Sequence, residues 1–226
     1  MPESADHLLR VSELFYSIQG ESTRAGLPCA FIRLCGCNLR CSYCDSRYTW
    51  EEEGTLMRQE QICSWVAEFP GSMVEITGGE PLLQEAAYPL MDKLLAEGRE
   101  VLLETSGSLH IARVPVGVGV ILDIKCPDSG MAKRNEWDNL ALLEKRKNAG
   151  SRDEVKFVLN SEEDAVWAIN IVWQHGLTGL VPVLFSPVVN RLASARVAEL
   201  ILQEQLPVRL QLQLHTRIWP DIGRGV

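Results

Sequence analysis

Apolar and polar positions alternate, or form short apolar runs, in six segments that predict β-strands: 28–34, 73–77, 100–105, 118–125, 154–159 and 180–185. Between these segments, apolar residues recur at three- and four-residue intervals. That pattern predicts helices near 58–69, 88–97, 138–146, 162–175 and 194–205. Pro70 and Gly71 close the first of these helices, and Gly98 closes the second. Strands that alternate with helices predict an α/β fold with a largely parallel sheet.

The number of strand–helix units limits the architecture. About six βα units are too few for a closed eight-stranded barrel, so we expect a partial (open) TIM-like barrel. In such folds the site lies at the C-terminal ends of the strands. A cysteine-rich loop, Gly78 to Glu80, Glu104 and Lys125 all follow predicted strand ends. Because no repeat or long linker divides the sequence, we expect a single domain over residues 1–226.

The charge balance narrows the class of partner. The chain has 22 basic and 30 acidic residues, a formal net charge of −8. Long-range repulsion would oppose binding to nucleic acid or to an anionic membrane. Residues 1–14 lack the basic and apolar regions of a signal peptide, and no run of about 18 apolar residues predicts a membrane span. We therefore expect a cytoplasmic protein that binds small molecules and neither nucleic acid nor membrane.

The cysteines indicate metal chemistry. The sequence has 7 of them, an odd number, and four of the seven lie within residues 35–44. Without an export signal, such clustering favours metal binding over disulfides. Cys37, Cys41 and Cys44 supply three thiolates, one fewer than a closed zinc or 4Fe-4S site uses, so a cluster held by them keeps one iron open. The alternative is a zinc site completed by a histidine or by a further cysteine such as Cys35.

The spacing of this triad resembles the CxxxCxxC signature of the radical S-adenosylmethionine (SAM) superfamily. Thr77 to Pro81 is similar to the GGE motif of that superfamily and also follows a predicted strand. The resemblance implies that SAM chelates the open iron through its amine and carboxylate. One electron would then cleave the sulfonium and give a 5′-deoxyadenosyl radical. Gly79 would expose backbone to the SAM amine, and Glu80 would support that amine by its charge.

Segments along the whole chain extend the resemblance. They are SIQGES (17–22), FIRL (31–34), GCNL (36–39), CDS (44–46), TW (49–50), ETSG (104–107), DIKCP (123–127), QLHT (213–216) and RGV (224–226). Together with the triad they are similar to the 7-carboxy-7-deazaguanine synthases of queuosine biosynthesis. Two positions depart from the family pattern. Ser22 stands where the family has glycine, and Asp123 and Ile124 precede Lys125 where many members have Ser-Pro.

The resemblance implies a reaction and its cofactors. The substrate 6-carboxy-5,6,7,8-tetrahydropterin would lose its C6 hydrogen to the adenosyl radical, contract its ring and release ammonia to give 7-carboxy-7-deazaguanine. A 4Fe-4S cluster, SAM and Mg²⁺ would be required. The expected partners are a one-electron donor, flavodoxin or ferredoxin, and a second copy of the chain in a homodimer.

The resemblance also implies site residues. The expected catalytic residues are Arg33, Glu21 and His215, and the expected substrate-binding residues are Ile18, Gln19, Gly20, Arg33, Thr77 and Val226. Those expected at SAM are Tyr43, Cys44, Asp45, Gly79, Asp123, Ile124 and Lys125; the metal ligands are Cys37, Cys41 and Cys44 for the cluster and Ser46 for Mg²⁺. The N-terminal segment would bind substrate, and the C-terminal tail would close the site.

Several of these residues could instead have purely structural roles. Arg33 can pair bidentately with a substrate carboxylate, but it could also form a surface ion pair. Ser46 or Asp45 could be the N-cap of a helix after the cluster loop. At the level of function, the rivals are a glycyl-radical activating enzyme, a zinc-stabilised adaptor and a ferredoxin-like electron carrier. Of these, only the first shares the chemistry implied by the triad.

Overall fold

A nine-stranded sheet is the framework of residues 8–226, the part of the chain that this computed structural model describes. Its strands are β1 (Leu8–Ile18), β2 (Pro28–Leu34), β3 (Thr55–Arg58), β4 (Met73–Gly78), β5 (Val101–Thr105), β6 (Gly119–Asp123), β7 (Glu154–Leu159), β8 (Val183–Pro187) and β9 (Arg209–Leu210). The spatial order is β3-β1-β2-β4-β5-β6-β7-β8-β9. β1 is antiparallel to both of its neighbours, and all pairs from β2 to β9 are parallel. The sheet does not close on itself, so the expected α/β partial barrel is confirmed.

Helices connect the parallel strands and cover their outer face. They are α1 (Tyr48–Glu51), α2 (Gln59–Val66), α3 (Ala87–Ala96), α4 (Asp138–Asn148), α5 (Glu162–His175), α6 (Leu177–Leu180), α7 (Ser194–Gln203) and α8 (His215–Ile218). Short 3₁₀ turns lie at Pro81–Leu83, Pro127–Ser129 and Ala132–Arg134. In α3, Ala87, Leu90, Met91 and Leu94 are buried at helical spacing and pack into the main core. Among the helices of residues 8–226, none is both long and apolar enough to span a membrane.

The six predicted strands are present as β2 and β4 to β8, but the sheet has three more. β1 and β3 form the antiparallel edge, and β9 is a two-residue strand at the other edge. β3 is mostly exposed and β1 mixes exposed with buried positions, so neither has the apolar run that marks a buried parallel strand. The last predicted strand begins at Val183 instead of 180, because Leu177–Leu180 is helical.

The inner face of the sheet is layered. In β4, Val74 and Ile76 point outward into the helix-covered core, whereas Glu75 and Thr77 occupy the alternate, inward positions. The lowest inner layer is a separate apolar cluster: Phe15, Cys29, Phe31, Met73, Leu102 and Ile121. Polar residues lie above this floor. The result is a cavity with an apolar base and polar walls, open toward the C-terminal ends of the strands.

Ser22 adopts a left-handed backbone conformation, φ 63°, which explains why a glycine suits this position. Its Oγ accepts a hydrogen bond from the Arg24 N–H at 3.0 Å, and the residue is 1% exposed. We expect Ser22→Val to lower the free energy of unfolding by about 1–3 kcal/mol, because a β-branched residue fits this conformation poorly and loses the turn hydrogen bond. Ser22→Gly is the control, expected within about 1 kcal/mol of wild type. Urea unfolding measures both; equal losses in the two variants would contradict the strain argument.

Candidate active site

One cavity of about 470 Å³ collects nearly all the predicted site residues at the C-terminal ends of the parallel strands. Predicted residues in its lining are Ile18, Gln19, Gly20, Glu21, Arg33, Cys37, Cys41, Tyr43, Cys44, Asp45, Ser46, Thr77, Gly79, Asp123, Lys125, His215 and Val226. Ile124 is the exception. Its side chain is 3% exposed and belongs to the outer hydrophobic core, because consecutive residues at the end of β6 point to opposite sides. The side chain of Ile124 therefore points away from the cavity, and its expected contact with SAM stays a prediction that only its backbone could fulfil.

The cysteine loop presents Cys37, Cys41 and Cys44 to the cavity. Cys35 is buried elsewhere: a Cβ placed on Gly54 would meet its Sγ at 2.3 Å, and Cys35 does not line the cavity. It is therefore not the fourth ligand that a zinc site would need. Within residues 8–226, no group of three His, Cys, Asp or Glu residues is placed to hold a single metal ion. A 4Fe-4S cluster places each thiolate on a different iron, and the cavity-facing triad fits that requirement.

Close backbone packing sets the shape of the cysteine loop. The Gly36 N–H donates to Thr49 O at 2.7 Å, and Gly36 O accepts from the Glu80 N–H at 2.8 Å. A Cβ on Gly79 would lie 2.1 Å from Gly36 O and 2.7 Å from Cys37 Cβ. Only glycine allows the end of β4 to approach the loop this closely. Gly79 thus places the triad over the strand end as well as lining the cavity.

Glu80 does not face the cavity, contrary to the expectation that it supports SAM directly. It is 0% exposed and is not part of the cavity lining. Its carboxylate accepts hydrogen bonds from Leu82 N (3.0 Å), Thr105 Oγ1 (2.9 Å), Ser106 N (2.8 Å) and Ser106 Oγ (2.5 Å). Charge-assisted bonds of this kind are strong. Glu80 therefore ties the turn after β4 to the end of β5 and acts on the site by positioning.

The SAM side of the cavity contains a buried ion pair with one unused oxygen. Lys125 Nζ lies 2.5 Å from Asp123 Oδ2, while Asp123 Oδ1 is buried without a hydrogen-bond partner among residues 8–226. Burial alone lowers the pKa of Lys125, but Asp123 and Tyr43 outweigh it and raise the net pKa, which keeps the ammonium charged. A buried orphan acceptor calls for a donor from a ligand, and the hydroxyls of a ribose would supply one. These residues fit SAM.

A layer of charged side chains lies between the apolar floor and the mouth of the cavity. Lys156 bonds both Glu104 and Glu21, the latter at 3.0 Å, and Thr77 Oγ1 donates to Glu104 at 2.9 Å. Burial by itself raises the pKa of Glu104, but the Lys156 ammonium outweighs it and lowers the pKa to about 2. Glu75 lies beside them and accepts a hydrogen bond from the Gln19 amide.

Arg33 is held at the cavity wall. Its Nε donates to Glu13 Oε1 at 2.7 Å, and its guanidinium lies 5.2 Å from the centre of the Phe15 ring. The Tyr48 hydroxyl donates to the same Glu13 oxygen at 2.8 Å. The Arg33 side chain is 18% exposed, so it is not a surface ion pair. Neither Nη atom bonds a residue within 8–226, which leaves both free to grip a planar anion.

The N-terminal segment and the C-terminal tail meet at the cavity. Gly20 O accepts from the Leu214 N–H at 3.0 Å, and a Cβ on Gly20 would lie 2.7 Å from His215 Nδ1. Gln213 Nε2 donates to Glu21 Oε1 at 3.0 Å. The very end of the chain is anchored where Arg224 pairs with Glu52 and stacks 3.8 Å from the Tyr48 ring. These contacts bring Val226 to the cavity.

Ser46 and Asp45 face the cavity beside the last cysteine. The Ser46 hydroxyl donates to Asp45 Oδ1 at 2.7 Å. Helix α1 begins at Tyr48, and its N-cap residue Arg47 makes no side-chain cap, so neither residue has the capping role considered as an alternative. A hydroxyl and a carboxylate beside each other are oxygen donors of the type that Mg²⁺ takes.

Two of the charged residues that line the cavity were not anticipated from the sequence. Glu75 and Lys156 line the cavity from inside β4 and β7. Glu75 is the single charged residue of MVEITG, and Lys156 lies between apolar residues of EVKFVL, whose other charged residue is Glu154. Charged residues are seldom buried without a partner, so a charge inside a strand buried on both faces was a usable signal.

Comparison with known proteins agrees with the geometry. Residues 31–120 match the radical SAM superfamily. A 7-carboxy-7-deazaguanine synthase from Chlorobaculum tepidum is 45% identical over 223 residues, which cover 99% of this chain and 100% of the relative. Another from Koribacter versatilis is 41% identical over 233 residues, with 96% and 100% covered. The crystal structure of QueE from Escherichia coli has a TM-score of 0.72 at 23% identity, covering 91% of this chain and 94% of that one, and shows the shared fold.

The partial barrel, the cavity-facing triad and the GGE turn define a radical SAM enzyme, which uses a 4Fe-4S cluster and SAM. Within that superfamily, the similarity to the two curated relatives over nearly the whole chain identifies the family. The chain belongs to the 7-carboxy-7-deazaguanine synthase family. The zinc-stabilised adaptor, the ferredoxin-like carrier and the glycyl-radical activating enzyme are thereby set aside.

Proposed function

We propose that this enzyme converts 6-carboxy-5,6,7,8-tetrahydropterin to 7-carboxy-7-deazaguanine with loss of ammonia. The observation that carries the proposal is one cavity in which the cysteine triad, Arg33 and the Gln19–Glu21 segment face each other. When bound, the cluster and SAM supply the radical that abstracts the substrate hydrogen. The residues of the chain bind the pterin, orient its C6 atom and exclude water. The similarity of this chain to 7-carboxy-7-deazaguanine synthases supports the same reaction.

Arg33 is proposed to hold the substrate carboxylate. Its Nε is fixed by Glu13 and its face by Phe15, so the two Nη donors point in a defined direction without further ordering. A guanidinium that is already oriented loses little entropy when it pairs with a carboxylate. This contact would set which end of the pterin faces the cluster. Orientation of this kind is a large part of catalysis on a bound substrate.

The segment after β1 is proposed to read the pterin ring. Gln19 Oε1 accepts the Glu21 N–H at 2.9 Å, which shapes the backbone of Ile18 and Gly20 toward the cavity. Glu21 is kept beside Lys156 and can accept ring N–H groups. Thr77 would add a hydroxyl contact from β4. From the tail, His215 and Val226 would complete the pocket and close it over the substrate.

For Mg²⁺ we propose Ser46 as the protein ligand, with Asp45 beside it. Both residues line the cavity next to Cys44. A hydroxyl ligand leaves most positions of an octahedral ion to water and to substrate oxygens. The proposed SAM contacts are Tyr43, Cys44 and Asp45 at the adenine, Gly79 at the methionine end, and Asp123, the backbone of Ile124 and Lys125 near the ribose or the carboxylate.

We expect Arg33→Ala to raise the substrate KM by about 10–100-fold, because charge-assisted hydrogen bonding worth about 1.5–3 kcal/mol in total is lost. Cluster content and SAM affinity should not change. Steady-state kinetics with cluster quantification measures this. The matched control is Arg113→Ala, which removes an arginine of the exposed Arg113–Glu85 pair. An unchanged KM in Arg33→Ala would remove Arg33 from the substrate site.

An anaerobic assay tests the proposed function. Reconstituted enzyme is incubated with SAM, dithionite, Mg²⁺ and 6-carboxytetrahydropterin, and the products are read by mass spectrometry. A product lighter than the substrate by ammonia is expected. Reductive cleavage of SAM without that product would keep the superfamily chemistry and overturn the proposed substrate.

We further propose that flavodoxin or ferredoxin reduces the cluster, that the enzyme is a homodimer, and that it works in the cytoplasm. Although the chain has a net charge of −8, exposed Arg40, Arg47, Lys133 and Arg134 lie on or beside the cysteine loop. The Arg40 N–H contacts Met131 Sδ at 3.4 Å, so the two basic segments adjoin. These basic residues would suit an acidic electron carrier.

Two measurements test these proposals. Light scattering measures whether the enzyme is a dimer, and the rate of cluster reduction by flavodoxin in Arg134→Glu measures whether the basic residues bind the electron donor.

A further inference from the structure

Glu75 is a carboxyl group at the bottom of the cavity that the proposed mechanism does not use. It is 3% exposed and lines the cavity from β4. Its Oε2 accepts the Gln19 amide N–H, whereas Oε1 has no hydrogen-bond partner among residues 8–226. A carboxyl oxygen that lines the cavity and that the protein leaves unused is available to a ligand. Glu75 is therefore aimed at whatever occupies this end of the cavity.

The charged groups around Glu75 would not offset a negative charge on its carboxyl group. The titratable groups that face it are Glu104 from β5, Lys156 from β7, Glu21 from the segment after β1 and Cys29 from β2. Lys156 is the single cation among these groups, and it is already bonded to both Glu104 and Glu21. A third carboxylate beside two others, out of water, would be costly. Burial, reinforced by Glu104, accordingly raises the pKa of Glu75 well above its usual value.

Gln19 determines where the proton of a neutral Glu75 resides. The Gln19 amide group donates to Oε2, and its Oε1 is occupied by the Glu21 N–H at 2.9 Å, which prevents the amide from turning over. A carbonyl oxygen accepts better than an acid hydroxyl, so Oε2 stays the carbonyl oxygen and Oε1 carries the proton. The carboxyl group then presents a donor and an acceptor side by side. This pattern is complementary to an adjacent C=O and N–H.

The position of Glu75 relative to Arg33 matches the length of a pterin. Arg33 is in register with Thr77 on the neighbouring strand, and Glu75 lies two residues earlier on β4, in register with Phe31. Two strand residues correspond to about 7 Å of depth. A bicyclic pterin whose carboxylate is held by Arg33 would therefore direct its opposite, pyrimidinone edge toward Glu75. That edge carries the C4 carbonyl next to the N3–H.

We propose that Glu75 pairs with this lactam edge, donating to the C4 oxygen and accepting from N3–H, and so selects pterins with a 4-oxo group. The proposal rests on the proposed function, because it takes the substrate to be a 6-carboxypterin. Glu75 is then a specificity-determining substrate contact. It differs in role from the charged Glu21 and Glu104, which can accept N–H groups but cannot donate to a carbonyl.

The test is binding to reconstituted enzyme with SAM and Mg²⁺ under anaerobic conditions. Kd is measured for 6-carboxypterin and for 2,4-diaminopteridine-6-carboxylate, in which an amino group replaces the C4 oxygen and N3 carries no hydrogen. Wild-type enzyme should bind the 4-oxo compound about tenfold more tightly, as expected for one or two neutral hydrogen bonds. Glu75→Leu should lose that preference, and Glu75→Gln, which keeps a donor beside an acceptor without charge, should retain it within about threefold.

Several outcomes would overturn the proposal. If wild-type enzyme binds the two compounds equally, no lactam reading takes place, and this result holds even if Glu75→Leu does not fold. If Glu75→Leu keeps the preference, another residue reads the edge. If Glu75→Gln loses it as fully as Glu75→Leu, a carboxylate is required instead of a neutral acid. Failure of the proposed function is distinct: wild-type enzyme would then bind neither compound and form no product lighter by ammonia.

Discussion

Cys41→Ala is expected to abolish both the 4Fe-4S cluster and all turnover. Within residues 8–226 three cysteines face the cavity, so the loss of one leaves two thiolates for a cluster that needs three. Cys35 cannot move in as a substitute. It is 5% exposed, its Sγ packs against Gly54, and it lies behind the loop. Iron content and the electron paramagnetic resonance spectrum of the reduced protein measure the cluster, and product formation measures turnover.

The matched control for this variant is Cys35→Ala. It removes a thiol two positions from the triad, but one that does not line the cavity. Cluster content and kcat should stay near the wild-type values, with a loss of stability of about 1 kcal/mol for a small buried side chain. A full cluster in Cys41→Ala, or none in Cys35→Ala, would contradict the ligand assignment.

Glu80→Ala is expected to lower the free energy of unfolding by about 2–6 kcal/mol, because the buried N–H groups of Leu82 and Ser106 each lose a partner at about 1–3 kcal/mol. The melting temperature should fall by about 2–4 °C for each kcal/mol. The affinity for SAM should fall as well, since the turn that carries Gly79 is no longer tied to β5. Thermal unfolding and equilibrium dialysis of SAM measure the two effects.

Glu85→Ala is the control for Glu80→Ala. Glu85 is an exposed glutamate five residues further along, paired with exposed Arg113. Its removal should change stability by no more than about 0.5 kcal/mol. A direct SAM contact by Glu80 would give a different pattern, in which Glu80→Ala loses SAM affinity while the unfolding free energy stays at the wild-type value. That pattern would refute the positioning role.

The sequence was most informative where a short pattern of residues is typical of a single structure or function. Three cysteines at the CxxxCxxC spacing indicate a cluster because the ligands lie on one short loop, and their contact with the cavity depends little on the rest of the chain. The parallel strands were equally readable, since burial on both faces makes each a short apolar run. The antiparallel strands β1 and β3 were missed for the opposite reason, because their exposed positions interrupt any such run.

Side-chain direction was harder to read than location. Ile124 and Glu80 belong to motifs at the site, yet one packs into the outer core and the other faces β5. A motif gives the position of the backbone, whereas the direction of a side chain depends on strand alternation and on which donors lie opposite. Ser22 is a further example. The sequence shows a serine where the family has glycine, but it does not show the left-handed φ of 63° that makes a side chain at this position unfavourable.

By itself, the sequence determined the α/β class, because the periodicity of strands and helices is visible along the chain, and the resemblance of its motifs to a known family predicted the cluster ligands and most of the residues that meet at the site. Only the tertiary structure decided which side chains face one another across the site. The bond of Glu80 to Ser106, the anchoring of Arg33 by Glu13, and the Glu75–Gln19 contact join residues from 20 to 56 positions apart. The physical reason is that burial, pairing and the resulting charge states are properties of neighbours in space, and chain order does not contain them.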